Sequence, residues 1–210
     1  MLEPSHIAVN LLLAFIPVAL AFLIAALYWR FPKLRPHWWI WAPLAALWLG
    51  FLPNTCYLVT EWRHFIELLV TQGASFRGAA HDKRTILWLL AMSAFYVAYS
   101  GVGLVAFSMA LWPLDQLTRS RWGYKALFFF VCALGVYLGL IKRLNTWDLW
   151  RHPRLVLMTS VDALTHPLLV ALIVVFGLVV WFNYWLFEVF ADGLLWRWRR
   201  RRAADTRGAR

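Results

Sequence analysis

Charge is scarce in this chain of 210 residues and lopsided where it occurs: 15% of residues are charged, with 10 Asp and Glu against 21 Lys and Arg. Soluble domains carry about 25% charged residues, so a mainly water-facing fold is excluded. Cysteine is as sparse. Cys56 and Cys132 are the two, which rules out a disulfide framework and any CxxC redox or zinc pair. There is no glycine-rich phosphate loop, no Gly-x-Ser-x-Gly elbow and no HExxH pair. Their absence removes the usual signatures of nucleotide, serine-hydrolase and zinc-protease chemistry.

Hydrocarbon fills the space instead. Hydrophobic residues make up 62% of the chain and the mean hydropathy is +0.62. A helix needs about 20 apolar residues to cross about 30 Å of hydrocarbon, which leaves room for one bundle of about five helices. The apolar runs are Ile7 to Trp29, Trp38 to Leu52, Ile86 to Trp112, Ala126 to Ile141 and Leu168 to Phe190. They predict an all-α, polytopic transmembrane bundle, with one helical domain over 1–195 and a basic tail over 196–210. The first run reads as a retained anchor, because Arg30, Lys33 and Arg35 follow it and no Lys or Arg precedes it. Pro17 inside it is tolerable in a transmembrane helix, with a mild kink.

With the N-terminus outside and the C-terminus inside, the inner segments hold 13 Lys and Arg against 8 in the outer ones. The positive-inside rule favours that orientation and makes the tail cytoplasmic. The tail, Trp196-Arg-Trp-Arg-Arg-Arg-Arg202, has no recognisable nucleic-acid module around it. It reads as an anchor, with indoles at headgroup level and cations on anionic lipid, so membrane lipids are the expected partners and nucleic acid is not. Most of the 15 tryptophans fall at the proposed interfaces, as belts.

The second and fourth runs hold 15 and 16 residues, about 22 to 24 Å of helix and less than the hydrocarbon thickness. Both lead into polar sequence at the proposed outer face: Pro53-Asn-Thr-Cys-Tyr-Leu-Val-Thr-Glu-Trp-Arg-His64 and Lys142-Arg-Leu-Asn-Thr-Trp-Asp-Leu-Trp-Arg-His152. Polar groups at that density beside hydrocarbon are costly and usually functional. Short spans ending in polar groups can mark an embedded site; snorkelling Lys142 and Arg143 are the plainer account.

Leu52-Pro-Asn-x-x-Tyr57-Leu-Val-Thr-Glu61-x-x-His64, followed by Gly135-Val-Tyr-Leu-Gly139 and Arg143-x-Asn145-Thr-Trp147-Asp148, resembles the bacterial integral membrane family named domain of unknown function 1361. The likeness runs from the second apolar run to the fifth. In that family the acidic position is more often Asp, and an Arg commonly stands where this chain has Leu140, with Lys142 a nearby substitute. The resemblance implies a multi-pass bacterial membrane protein, with the cytoplasmic (inner) membrane the expected location, and supplies no activity.

Chemistry must come from the groups themselves. Glu61 and His64 are three apart and share one face if Val59 to Leu69 is helical. That spacing suits a base oriented by a carboxyl, with Asp148 the third candidate catalytic group and a lipid or lipid-linked molecule the natural substrate at this depth. Tyr57 or Arg143 would stabilise developing charge; Asn54, Asn145 and Trp147 complete the candidate substrate contacts. A metal would need further ligands from Asp148, His152, Asp162 or His166. Each has a plainer reading. Glu61 and His64 can form a solvated interfacial face. Pro53 can break the helix while Asn54 caps the next one by accepting a backbone N–H. Arg143 with Asp148 can lock a loop, and Asn145 to Asp148 can form an ordered turn with the indole of Trp147 in lipid.

Within the spans, Tyr96, Tyr99, Ser100, Gly101 and Gly103 read as helix packing, and Asn183 as an interhelical hydrogen bond. Glu188 and Asp192 stand one turn apart beside tail arginines that can pair with them. Three classes of function follow: an outward-facing site acting on lipid, a transport or channel component whose path reaches Asn183, and a non-catalytic partner of another membrane protein or of a second copy.

Overall fold

The computed structural model describes residues 4–71, 82–118, 122–142, 144 and 147–208, and among them every regular element is helical. Helix α1 spans Pro4–Arg30. A 3-10 turn at Pro32–Leu34 leads to α2, Trp38–Phe51, then α3, Pro53–Thr60, and α4, Trp62–Thr71. Helix α5 is Lys83–Thr118 and α6 is Trp122–Leu140. Two shorter helices, α7 at Asp148–Arg151 and α8 at Pro153–Thr165, precede α9, Pro167–Gly208. Four stretches are long and apolar enough to cross a membrane: Ile7–Arg30, Trp38–Thr71, Lys83–Leu117 and Pro167–Arg200. The fourth run in chain order is the shorter apolar helix Lys125–Gly139. The fold is therefore the expected all-α membrane bundle, with one of its five apolar runs short.

The second span is not short. Its helix was expected to end at Leu52, and instead α2, α3 and α4 make one run of 34 residues. Local hydrogen bonding explains why Pro53 does not end it. Leu52 keeps right-handed helical angles, and Pro at the first position of α3 lacks only an N–H that a helix start leaves unbonded anyway. The Thr55 N–H donates to the Leu52 carbonyl at 3.1 Å, one residue closer than in an α-helix, and the Thr55 hydroxyl donates to the same oxygen at 2.8 Å. The Phe51 carbonyl accepts from Asn54 Nδ2 at 3.0 Å. The predicted Asn54 cap is thus corrected: Leu52 holds the N-cap position, and Asn54 donates backward to the broken turn instead of accepting from the next one.

Helix α3 is the most deeply packed segment, with Asn54, Thr55, Cys56 and Leu58 all buried between α1, α5 and α6. Three glycines make that possible. A Cβ on Gly103 would lie 2.7 Å from both Leu58 Cβ and the Thr55 carbonyl oxygen. On the other side, a Cβ on Gly135 would come within 2.8 Å of Pro53 Cγ, and one on Gly139 would overlap the Tyr57 hydroxyl. Pro53 and Tyr57 are i and i+4 on one helix, Gly135 and Gly139 are i and i+4 on the other, so a two-residue ridge sits in a two-residue groove. Gly101, grouped with Gly103 from sequence, has nothing within 4 Å of a Cβ and takes no part in this packing.

The main core joins α1, α2, α5, α6 and α9 through Ile24, Trp48, Phe107, Phe129 and Tyr184. Trp48 belongs to it and not to an interfacial belt, since its indole donates to the Ala110 carbonyl at 3.1 Å and its ring stacks on Phe128. The interhelical bond expected of Asn183 is present, with Nδ2 donating to Ser108 Oγ at 3.1 Å and to the Leu104 carbonyl at 3.3 Å. Helix α9 continues through the arginines to Gly208, about 63 Å at 1.5 Å per residue and about twice the hydrocarbon thickness. The basic tail, from Trp196 to Gly208, extends the last span as helix for about 20 Å.

At the start of α5, Asp82 acts as the cap that the polar loop supplies. Its carboxyl accepts from the Arg84 and Thr85 N–H groups and from the Thr85 hydroxyl, and these bonds hold its pKa below the usual carboxylate value. A depressed folded-state pKa gives stability that is present above the ordinary carboxyl pKa and is lost as pH falls through the lowered one. Amide exchange at Arg84 and Thr85 should accelerate in that acidic window beyond its intrinsic pH dependence, and Asp82→Asn should remove the extra acceleration.

Candidate functional site

Two polar centres form, one toward each end of the bundle. The first lies at the end that carries the N-terminus, where α3 meets α4. Glu61 keeps helical angles between the two helices, and the His64 N–H donates to the Glu61 carbonyl at 3.0 Å, so the two side chains share one face as the spacing predicted. His64 Nε2 stands 3.6 Å from Glu61 Oε2, and its Nδ1 is 4.0 Å from Glu67 Oε2. Asn10 of α1 donates to Glu61 Oε1 at 3.2 Å. The other carboxyl oxygen, Oε2, is buried and has no hydrogen-bond partner among the described residues.

Behind this pair, on α5, the Tyr99 hydroxyl is likewise buried without a hydrogen bond of sound geometry, although Asn10 stands beside it. Tyr96, one turn nearer the start of α5, stacks on Phe65 at 5.2 Å between ring centres and meets Trp62 at 5.8 Å. His64, Phe65, Phe95 and Tyr96 line a cleft of about 620 Å³ that Ile7 and Trp88 also border. His64 is therefore shared: it faces the cleft, with Glu61 at its back and Asn10 behind Glu61. A buried polar atom without a hydrogen bond costs about 1–3 kcal/mol, and Glu61 Oε2 and the Tyr99 hydroxyl are two such atoms among the described residues.

The remaining candidates lie elsewhere. Tyr57 and Asn54 are spent in the helix lock, Tyr57 against Gly139 and Asn54 on the Phe51 carbonyl. Trp147 is half exposed at the start of α7 and meets Phe51 edge-on at 6.1 Å. Asp148 opens α7, which packs on α8, and its backbone carbonyl accepts from the His152 N–H at 2.8 Å. Arg143 and Asn145, and with them the Arg143–Asp148 pair, lie outside the described residues. Lys142 is 3.6 Å from Asp162 on α8. Among the described residues no three His, Cys, Asp or Glu side chains gather as a metal site.

The second centre has no forerunner in the sequence analysis. At the opposite end, Lys125 Nζ of α6 lies 2.7 Å from Asp115 Oδ2 of α5 and 3.3 Å from Glu188 Oε1 of α9. The Tyr184 hydroxyl donates to the same Asp115 oxygen at 3.0 Å. Glu188 thus finds its cation on α6, 63 residues away, where tail arginines had been the expected partners. The only local signal was the i, i+4 spacing of Tyr184 and Glu188.

No curated protein matches the chain, and no solved structure does. The model of the family described as "Protein of unknown function (DUF1361)" matches residues 9–182, a stretch that contains the Pro53–His64 motif, the glycine groove and both polar centres except Tyr184 and Glu188. The paired motifs had pointed to this family, and the match over most of its length shows that the chain belongs to it.

Proposed function

We propose that this membrane protein binds the headgroup of a lipid or lipid-linked molecule at the end that carries its N-terminus, with His64 as the proton-handling group. One observation carries the reading: His64 lines a cleft and is backed by Glu61, whose buried Oε2 stands 3.6 Å from His64 Nε2 and accepts no hydrogen bond among the described residues. A carboxyl behind an imidazole selects which ring nitrogen carries the proton and leaves the other to meet a substrate. Asn10 fixes the carboxyl by its 3.2 Å bond. The rings of Phe65, Phe95 and Tyr96 provide the wall against which the apolar part of a ligand lies.

The chemistry that fits is acid–base assistance at a headgroup. The inner membrane, the outward N-terminus and cytoplasmic tail, and the anionic lipids at the tail arginines complete the proposal. Glu61→Gln and His64→Ala, purified in a mild detergent, should lose a lipid class that mass spectrometry finds on the wild type. An identical lipid profile in folded Glu61→Gln and His64→Ala would remove this reading.

A further inference from the structure

We propose that the cavity beside Lys125 is a second binding site, and that it takes a phenol, a ring-bearing amphiphile held by one hydroxyl. Its volume is about 630 Å³, within the range of about 300–1,000 Å³ typical of ligand sites. All five apolar runs contribute to it: Tyr28 from α1, Trp41 from α2, Asp115 from α5, Lys125 from α6 and Tyr184 from α9. None of these residues lines the cleft at His64.

The walls select rings. Six of the 13 described lining residues are aromatic: Tyr28, Trp41, Trp48, Phe128, Phe129 and Tyr184. The two indoles have spent their donors, Trp41 Nε1 on the Leu34 carbonyl at 3.0 Å and Trp48 Nε1 on the Ala110 carbonyl at 3.1 Å, so both serve as apolar wall. Trp48 and Phe128 already stack with 5.5 Å between ring centres. Aromatic pairs gain more than their buried area alone provides, an advantage that a flexible hydrocarbon chain cannot use.

The polar end selects the hydroxyl. Lys125 and Asp115 are the charged residues among the described lining, and they pair at 2.7 Å. An ammonium has three N–H groups. Those of Lys125 reach Asp115 Oδ2 and Glu188 Oε1, which leaves one open. On Asp115, both Lys125 and the Tyr184 hydroxyl donate to Oδ2, and no donor among the described residues reaches Oδ1. One open donor and one open acceptor on paired groups suit a hydroxyl, which accepts with its oxygen and donates its proton. An ether or ketone would leave Oδ1 unmet, and hydrocarbon would leave both.

A short ligand series makes the test. Para-benzylphenol should bind the purified full-length protein saturably, beyond its partition into empty micelles, as followed by equilibrium dialysis. Its methyl ether, which keeps the oxygen and loses the donor, should bind about tenfold more weakly, the loss of one hydrogen bond to a charged group, and diphenylmethane more weakly still. Dodecanol, which keeps the hydroxyl and lacks the rings, should not displace para-benzylphenol at equal concentration. Ala45→Phe, which fills the cavity from an exposed lining position, should abolish binding. Ala42→Phe adds the same bulk one turn earlier on α2, at an exposed position that does not line the cavity, and should leave binding unchanged. Equal affinity for para-benzylphenol and diphenylmethane overturns the proposal, as does displacement by dodecanol or wild-type affinity in Ala45→Phe. A loss shared by Ala42→Phe overturns it too, because that assigns the effect to bulk on α2 and not to the cavity.

Discussion

Replacing Lys125 by Met should lower the stability of the bundle by about 3 kcal/mol, the low end of what breaking a buried ion pair costs. The side chain is one-fifth exposed, Asp115 less and Glu188 somewhat more, so water screens the cluster only in part. The loss arises from what remains. Two carboxyls that had faced one ammonium at 2.7 and 3.3 Å would face each other, and the Tyr184 hydroxyl can satisfy only one of them. The same argument gives the rescue: Asp115→Asn and Glu188→Gln added to Lys125→Met should recover most of the loss, because a neutral set leaves no uncompensated charge. Unfolding in mixed micelles, followed by tryptophan emission, measures both steps. A single variant as stable as the wild type, or a triple variant no better than the single, would contradict the account.

The second large effect belongs to the glycine groove. Gly139→Ala should cost about 1–3 kcal/mol, as overpacking does, since the new Cβ overlaps the end of the Tyr57 ring. Gly103→Ala should cost at least as much. One of its two close neighbours is a backbone oxygen, at 2.7 Å, which cannot rotate away as a side chain can. Tyr57→Leu withdraws the ring end from Gly139, so the double variant Gly139→Ala, Tyr57→Leu should be more stable than the sum of the two single losses by about 0.5–3 kcal/mol. Strict additivity in that cycle would show that ridge and groove do not meet as described.

The sequence made some of this visible and concealed the rest for physical reasons. Apolar runs are legible because hydrocarbon thickness sets a length, and helices cover all five, although the second runs on past Leu52 to Thr71. The fate of Pro53 was not legible, since whether a proline ends a helix depends on who satisfies the broken turn. Here Asn54 and Thr55 do so with bonds of 3.0 and 2.8 Å. Glu61 and His64 could be paired from their spacing alone. Asn10 could not, because its contact with Glu61 joins positions 51 residues apart. Lys125 was hidden in the same way, 10 residues from Asp115 and 63 from Glu188, and no periodicity links such positions. Gly135 and Gly139 stood in the motif from the start, but their meaning came only when Pro53 and Tyr57 were found in the groove between them.

The broken second span also constrains how the chain enters the bilayer. Trp38–Thr71 is the least hydropathic of the four long spans and carries Asn54, Glu61, Arg63 and His64 in its latter half. Alone in lipid, that half would present Asn54, Thr55 and the Glu61 carboxyl to hydrocarbon. It becomes comfortable only against α1, α5 and α6, and α6 ends 69 residues after Thr71. The latter half of the second span must therefore wait near the interface or the insertion machinery until the fourth run has been made. Truncation after Thr71 should leave a segment that integrates poorly, and extension through Leu140 should let it settle.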